Sequence, residues 1–341
     1  MKAAYIEEFG GPDVIKYGEL PTPKPGPCEV LVRVKAVSVN HLDVWVRRGI
    51  YKNLPMPHVL GSDIAGVVEE VGPGVKNVKP GQKVLINPGT SCGVCEACLS
   101  GRDNLCKEYK ILGEHVWGGY AEYVRVPSAN VLPYPEGLTW VEAAAVPLTF
   151  LTAWHAVVTK GQIKQGETVL VMSGGGGVGS AAVQIAKLFN AYVITTVGSD
   201  WKVEKAYELG ADLVINWRKE DIEKVIREKV GRVDLVIDHT GQEHTQRLIN
   251  VTKWGGRIVM YGATSGYRAQ IDLRHIFYRQ VSLIGSTMGS KGELFNVVRL
   301  VEKRKLRPVV YKVLPLEQAR EAHRLLESFS PFGKVVLEVD G

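Results

Sequence analysis

The run from Val169 to Lys187 limits the folding of this chain more than any other: Val-Leu-Val-Met-Ser-Gly-Gly-Gly-Gly-Val-Gly-Ser-Ala-Ala-Val-Gln-Ile-Ala-Lys. Glu167 to Met172 is short, apolar and β-branched, as a strand buried on both faces must be. From Ser180 onward the residues are good helix formers with an apolar stripe. Between them Gly174, Gly176 and Gly179 fit G-x-G-x-x-G, with Gly177 and Val178 completing the loop. The first glycine permits a sharp turn, the second a close approach to a pyrophosphate, and the third tight packing of helix on strand. Free amides at the helix N-terminus then face the phosphates. Such a loop alone is weak evidence. The strand before it and the helix after it supply the context that identifies a dinucleotide site.

The residues that follow alternate in kind. Strands are expected at Tyr192–Val197, Leu213–Asn216, Val233–Asp238, Arg257–Gly262 and Val281–Gly285. Helices are expected at Trp201–Leu209 (stopped by Gly210), at Asp221–Val230 and around Gln242–Val251. This is the pattern of a doubly wound parallel sheet, α/β in class. With 341 residues, one such domain leaves much of the chain over, so a second core is expected.

The N-terminal part has a different grammar. Pro21 to Pro27 is a connector, Glu29–Val37 alternates like a half-buried strand, and Gly61–Val71 reads as a strand with Gly66 as a bend or close approach. Gln82–Asn87 and Gly119–Val126 continue a small, mainly antiparallel β-domain. Helices lie at Val141–Ala145, Thr152–Val158 and Lys291–Lys305, and residues after about 286 return to the first domain. The expected division is 1–150 with 286–341, and 151–285. The formal charge of +6 suits an anionic cofactor, and no basic block is long enough to suggest nucleic acid. No apolar run is long enough for a bilayer, and the N-terminus lacks a signal-peptide core, so a cytoplasmic protein is expected.

Four of the five cysteines form Cys92-x2-Cys95-x2-Cys98-x7-Cys106, in a lobe over about 90–110. Four thiolates at this spacing can enclose one tetrahedral zinc and leave it no open position. Two disulfides are the alternative, at odds with a reducing compartment, and an iron–sulfur cluster lacks an electron-transfer partner site. Cys28 reads as a free thiol near a strand start.

Together these motifs, with Gly61-Ser-Asp-Ile-Ala-Gly-Val-Val, resemble the zinc-type medium-chain alcohol dehydrogenases, in the branch similar to quinone and enone reductases. The resemblance runs along nearly the whole chain. It implies a GroES-like β-barrel catalytic domain, a Rossmann domain, a cleft between them, and a homodimer or homotetramer acting on a small molecule. It also exposes departures. Where the family has its first catalytic zinc ligand, a cysteine, this chain has Asn40. Gly-His-Glu becomes Gly61-Ser-Asp63, the third ligand position holds Leu148, and the hydroxyl of the usual proton relay is replaced by Leu42. An amide, a hydroxyl and an isobutyl group do not make a zinc site. One structural zinc per chain and no catalytic zinc are therefore expected. Metal binding by Asp43, Asp63 or His41 is the competing possibility.

Without the metal, a developing oxyanion needs hydrogen bonds or a proton donor. Asn40-His-Leu-Asp43 and Tyr51 resemble the quinone-reductase pattern around a nicotinamide. By that likeness Tyr51 is the leading donor, Asn40 orients substrate or carboxamide, and His41 is a second donor or pyrophosphate contact. Asp43 orients its neighbours, or caps a helix beginning at Val44. Tyr51 packing at a loop end is the bland alternative. His58, His115, Trp45, Trp117 and Tyr120 either line a pocket or pack in the core.

After the second strand, the position that grips the ribose in NAD enzymes carries no carboxylate. Ser199 can donate a hydrogen bond and Lys202 a charge to a 2′-phosphate. The resemblance adds Trp217 and Arg218 as a further adenosine contact. NADP is therefore favoured over NAD, with Asp200 read as a cap for the helix at Trp201. The leading expectation is an NADPH-dependent reductase of carbonyls, quinones or activated double bonds. An alcohol dehydrogenase with an unorthodox metal and a non-catalytic nucleotide-binding protein are the alternatives. The basic run Arg47 to Lys52 reads as a solvated face, or as an attractor for an acyl-CoA.

Overall fold

The structure, a computed structural model, describes residues 1–51 and 53–339. It divides into two compact units: Met1–Leu148 with Ser290–Arg304 and Pro308–Gly341, and Thr149–Gly289 with Lys305–Arg307. Among the described residues no helix is long and apolar enough to cross a membrane.

In the first unit, a seven-stranded sheet runs Val131–Pro133, Lys83–Ile86, Asp63–Val71, Glu29–Ser38, Lys334–Glu338, Val310–Pro315, and Tyr123–Pro127 joins Glu29–Ser38 off that path. Glu29–Ser38 is the hub. It pairs with Asp63–Val71 on one side, and on the other with Tyr123–Pro127 and then Lys334–Glu338. The sequence reads as half-buried here, yet only Glu29, Arg33 and Lys35 are partly open. The helix Trp140–Ala144 packs across this strand and its neighbours, covering the second face. Gly66 is a close approach, since a Cβ there would sit 2.3 Å from the Arg33 carbonyl oxygen. The core of this unit gathers Ile6, Val32, Val34, Ile64, Ile86 and Leu337, all fully buried.

The second unit holds six parallel strands in the order Leu213–Asn216, Tyr192–Val197, Thr168–Val171, Val233–Asp238, Thr252–Met260, Ser282–Gly285. This is the Rossmann order, with the strand direction of travel reversing beside Thr168–Val171. Val169, Leu170 and Val171 are fully buried, as expected of a central strand. The helix after the glycine turn spans Gly177–Leu188, three residues earlier than its side chains suggest. Gly177, Val178 and Gly179 are its first turn, and only glycine fits at 179, where a Cβ would lie 2.1 Å from the Ser173 carbonyl oxygen. The expected Thr152–Val158 helix is Pro147–Trp154 followed by a wide π-type segment at His155–Lys160.

Candidate functional site

The lobe between the short strands Gly89–Thr90 and Lys110–Ile111 brings the four sulfurs of Cys92, Cys95, Cys98 and Cys106 within 4.8 Å of one another. No pair is bonded as a disulfide. Tetrahedral zinc–thiolate geometry asks for sulfurs about 3.8 Å apart. The contacts Cys92–Cys98, Cys95–Cys98 and Cys106–Cys92 are 3.9, 3.5 and 3.6 Å. The Val94 and Cys95 amides draw the Cys92 thiol down to about 7, toward the thiolate a metal requires. The donor set thus fits a zinc ion, with no fourth position left for a substrate. Asp103 ties the lobe to the helix Lys291–Glu302, accepting from the Lys291 amide at 2.9 Å and its ammonium at 2.8 Å.

A second cluster lies where Glu29–Ser38, Asp63–Val71 and Lys334–Glu338 meet. Register pairs Ser38 with Asp63. Asp63 Oδ2 accepts from Ser38 Oγ at 3.0 Å, Asn40 Nδ2 at 2.9 Å and Lys334 Nζ at 3.2 Å, while Oδ1 accepts from the Leu148 amide at 2.5 Å. Lys334 also donates to Asn40 Oδ1. Asp63 is fully buried and Lys334 only 5% exposed. Burial pulls the Lys334 ammonium below its ordinary value, and the Asp63 charge opposes that pull.

Asp43 belongs to the same region. The helix there is His41–Arg47, capped by Asn40, so Asp43 sits in its first turn rather than ahead of it. Its carboxylate accepts from the amides of Asn40 at 2.7 Å and Gly61 at 2.9 Å, and from Tyr120 Oη at 3.3 Å. Burial raises this carboxyl to about 6 despite those donors. Tyr120 in turn meets His323 Nε2 at 3.2 Å. His323 is fully buried, and burial, with the charge of Arg47, holds it down to about 3. Tyr120 gives its one proton to Asp43, so in this network its oxygen accepts from His323 Nε2, which fixes the tautomer of the neutral ring. His41 stacks on Phe329, ring centroids 5.7 Å apart. Arg47 is fully buried against Glu327 at 2.8 Å, and Arg48 shares that carboxylate. The Arg47–Lys52 run is thus neither a solvated face nor an open cationic patch at its first residue. Its last residue, Lys52, falls outside the described residues.

Tyr51 stands in a separate cluster. It is 40% exposed, its ring lies 5.3 Å from that of His115, and its hydroxyl bonds to the carboxyl of Glu114. Glu114 is only 3% exposed. His58 is buried against the Gly113 carbonyl, and Trp117 donates to Pro57, so both serve the surrounding loop. Sequence reasoning did not single out Lys334, Ser38, His323 or Glu114.

In the second unit, a Cβ at Gly174 would meet Thr195 Oγ1 at 2.2 Å, whereas at Gly176 the nearest atom is 3.4 Å away. The first glycine is needed for packing, and the second leaves open backbone for an anion. No side chain caps the helix at Gly177, so its first amides face outward. At the end of the second strand, Gly198 lies under the Trp217 indole and Arg218 guanidinium, at 3.2 and 3.6 Å from its would-be Cβ. Burial lowers the Lys202 ammonium, and the Arg218 charge lowers it further. Asp200 does not cap the following helix with its side chain. It accepts instead from Asn216 Nδ2 at 2.8 Å and from Lys219 Nζ at 2.5 Å. That neutralises the one carboxylate on this loop.

Residues 26–136 match the family described as Alcohol dehydrogenase GroES-like domain, and residues 177–303 that described as Zinc-binding dehydrogenase. An NAD-dependent alcohol dehydrogenase of Sulfurisphaera tokodaii is 35% identical over 99% of each chain. The chain belongs to the zinc-type medium-chain alcohol dehydrogenases. An acryloyl-coenzyme A reductase from the same organism, 30% identical, covers 99% of this chain and is itself covered in full. The crystal structure of an NAD-dependent alcohol dehydrogenase superimposes with a TM-score of 0.96 at 54% identity, covering 100% of each chain. As a member of this family the protein is an oxidoreductase, and a nicotinamide cofactor and zinc binding are characteristic of the family. The three positions at which the family resemblance puts catalytic zinc ligands, Asn40, Ser62 and Leu148, are all buried. Asn40 and Leu148 both bond to Asp63, and Ser62 Oγ donates to the Leu112 carbonyl at 2.7 Å.

Proposed function

We propose that the protein is an NADPH-dependent reductase of carbon–carbon double bonds conjugated to a carbonyl, such as enoyl thioesters or enones, with no metal in the reaction. The carrying observation is the closed network around Asp63. Both of its oxygens, and both of Asp43's, already accept protein donors, and the Lys334 ammonium brings its own positive charge. A divalent cation there would displace several buried hydrogen bonds and face a resident cation. Asn40 and Asp43 act as positioning residues that fix the turn before His41.

NADPH, when bound, supplies the hydride. The amides of Gly177, Val178 and Gly179 hold its pyrophosphate, the Gly176 amide being given to the Ser173 carbonyl at 2.9 Å, and Ser199, Lys202, Trp217 and Arg218 surround its 2′-phosphate. Two neighbouring cations on a loop whose only carboxylate is neutralised favour the extra phosphate. Tyr51, partly exposed, donates the proton to the α-carbon of the substrate, and His41 is the second donor nearby in sequence. The cysteine lobe takes one structural zinc per chain, in a cytoplasmic enzyme. The free edge of the strand Ser282–Gly285, beside the exposed Phe277, Tyr278 and Trp254, is the surface through which copies of the chain associate.

A second reading, carbonyl reduction, is favoured by the name of the 54%-identical structure. One assay separates them. Crotonyl-CoA, cyclohexenone, a quinone and an aldehyde are offered with NADPH and NADH, with metal analysis before and after chelation. Turnover of the conjugated alkenes with NADPH, at one zinc per chain, is expected. Turnover of the aldehyde alone, or loss of activity with a second metal, overturns the proposal.

A further inference from the structure

Glu114 is a buried acid that the proposed reaction leaves unused. It lies in the loop between the strand Lys110–Ile111 and the strand Tyr123–Pro127. Its carboxyl is nearly inaccessible, and Oε2 has no hydrogen-bond partner among the described residues. His115 Nδ1 comes within 3.7 Å of that oxygen, a distance that would suit an ion pair. Yet the same Nδ1 accepts a hydrogen bond from the Ile111 amide at 3.1 Å. An imidazole nitrogen that accepts carries no proton, so His115 offers Glu114 no N–H on that side. The geometry of the hydrogen bond outweighs the bare distance, and the contact is not a salt bridge. Among the described residues the carboxyl is left with one hydrogen-bond partner, the Tyr51 hydroxyl. That phenol is half in solvent, with its ring against His115.

We infer that Glu114 is the proton reservoir behind Tyr51, a positioning and relay residue that hands its own proton to the phenol oxygen and so turns the Tyr51 O–H outward. Burial favours the neutral form and raises Glu114 above the ordinary carboxylate range, outweighing the opposing pull of the Tyr51 hydrogen bond and the His115 ring. Only the neutral acid can donate to the phenol. A carboxylate would instead hold the Tyr51 proton on itself and withdraw the donor from the substrate. The inference rests on the reading of Tyr51 as proton donor.

The protons balance as follows. Reduction at the β-carbon leaves an electron pair on the α-carbon, conjugated with the carbonyl. The Tyr51 O–H bond breaks as the α-carbon–hydrogen bond forms. The Glu114 O–H bond breaks as the phenol is restored, and the carboxylate then takes a proton from water. Each turnover consumes one proton from solvent and leaves both residues as they began.

The test uses Glu114→Gln, Glu114→Ala and Tyr51→Phe in the zinc-loaded full-length protein, with crotonyl-CoA and NADPH as probes. Glu114→Gln keeps shape and a hydrogen bond but has no proton to give. Its kcat is expected to fall on the order of a hundredfold with KM for crotonyl-CoA little changed. NADPH binding by fluorescence titration and the melting temperature are expected to match the parent. In Glu114→Ala, added acetate or formate restores part of kcat, which a merely structural role would not allow. If Tyr51→Phe is inactive but Glu114→Gln turns over within twofold of the parent, the relay is overturned while the Tyr51 reading stands. If Tyr51→Phe keeps full activity, that reading fails and the relay fails with it. A rise in KM with kcat unchanged in Glu114→Gln, or no acetate rescue in Glu114→Ala, also overturns the relay.

Discussion

The cysteine lobe and the Asp63 cluster each converge four groups on one point, and they treat a cation in opposite ways. In the lobe, four sulfurs gather with no built-in cation among them, and the amide donors they accept favour the thiolate, so the set suits an ion from outside. Around Asp63 the convergence consists of donors, from Ser38, Asn40, Leu148 and Lys334, and the cation is built into the chain. Counting potential ligands does not tell these apart. What matters is whether each ligand atom already has a partner, because breaking a buried hydrogen bond costs what the metal bond must return.

The largest effect that sharpens this contrast is on the lobe. Cys95→Ser should abolish zinc uptake and release the segment from Ser91 to Tyr109. Structural zinc of this kind is worth on the order of 10 kcal/mol at pH 7. Metal analysis with hydrogen exchange reads both consequences. Unchanged protection of the lobe without zinc would break the comparison. Next comes Lys334→Met, which strands the Asp63 charge and should lose about 3–5 kcal/mol in chemical unfolding. The double variant Lys334→Met/Asp63→Asn should recover much of that. A single variant as stable as the parent would mean that the network is not closed by its own cation.

The lobe was legible because cysteine spacing encodes its chemistry locally, all within residues 92–106. The glycine turn was legible for the same reason, although its helix begins at Gly177 because backbone contact, not propensity, sets the start. The Asp63 cluster draws on residues 38, 40, 63, 148 and 334, which only the sheet pairing assembles. Lys334 did leave a trace, as a lysine opening an apolar strand. Nothing in the sequence, however, said which carboxylate it would meet. Asp200 shows the converse failure. It stands at a helix start, where aspartate often caps, but Lys219 and Asn216 compete successfully for its oxygens. Tyr120, read as packing or pocket, proved to be the link between Asp43 and His323.

That link supplies a subtler test of closure. His323 is held near 3 in the folded protein, below the unfolded value of about 6.5, so the folded state binds fewer protons between those values. Its contribution is fully present above the unfolded value and is lost as pH falls toward 3. Between pH 6.5 and 5 the loss should be about 2 kcal/mol. The raised Asp43 carboxyl works in the opposite sense, since protonation near 6 favours the folded form. The difference between parent and His323→Gln unfolding curves isolates the histidine. Equal pH slopes for the two proteins would show that His323 is not kept neutral by its surroundings.

The smallest expected effect extends the contrast to the second unit, where Lys202 and Arg218 face each other as cations and Asp200 is spoken for. Two cations brought together beside a carboxylate that is already paired suit an anion from outside. Lys202→Ala removes one of the two cations and also relieves their mutual repulsion, and Arg218 stays to hold the phosphate. The loss should therefore be modest, about tenfold in Kd for NADPH, or roughly 1.4 kcal/mol, and smaller at high salt. NADH, which lacks the 2′-phosphate, should bind the variant as it binds the parent. Fluorescence titration with both nucleotides at two salt concentrations measures this. Equal weakening of both would place Lys202 on a part of the nucleotide they share, and the loop would then give no reason to prefer NADPH.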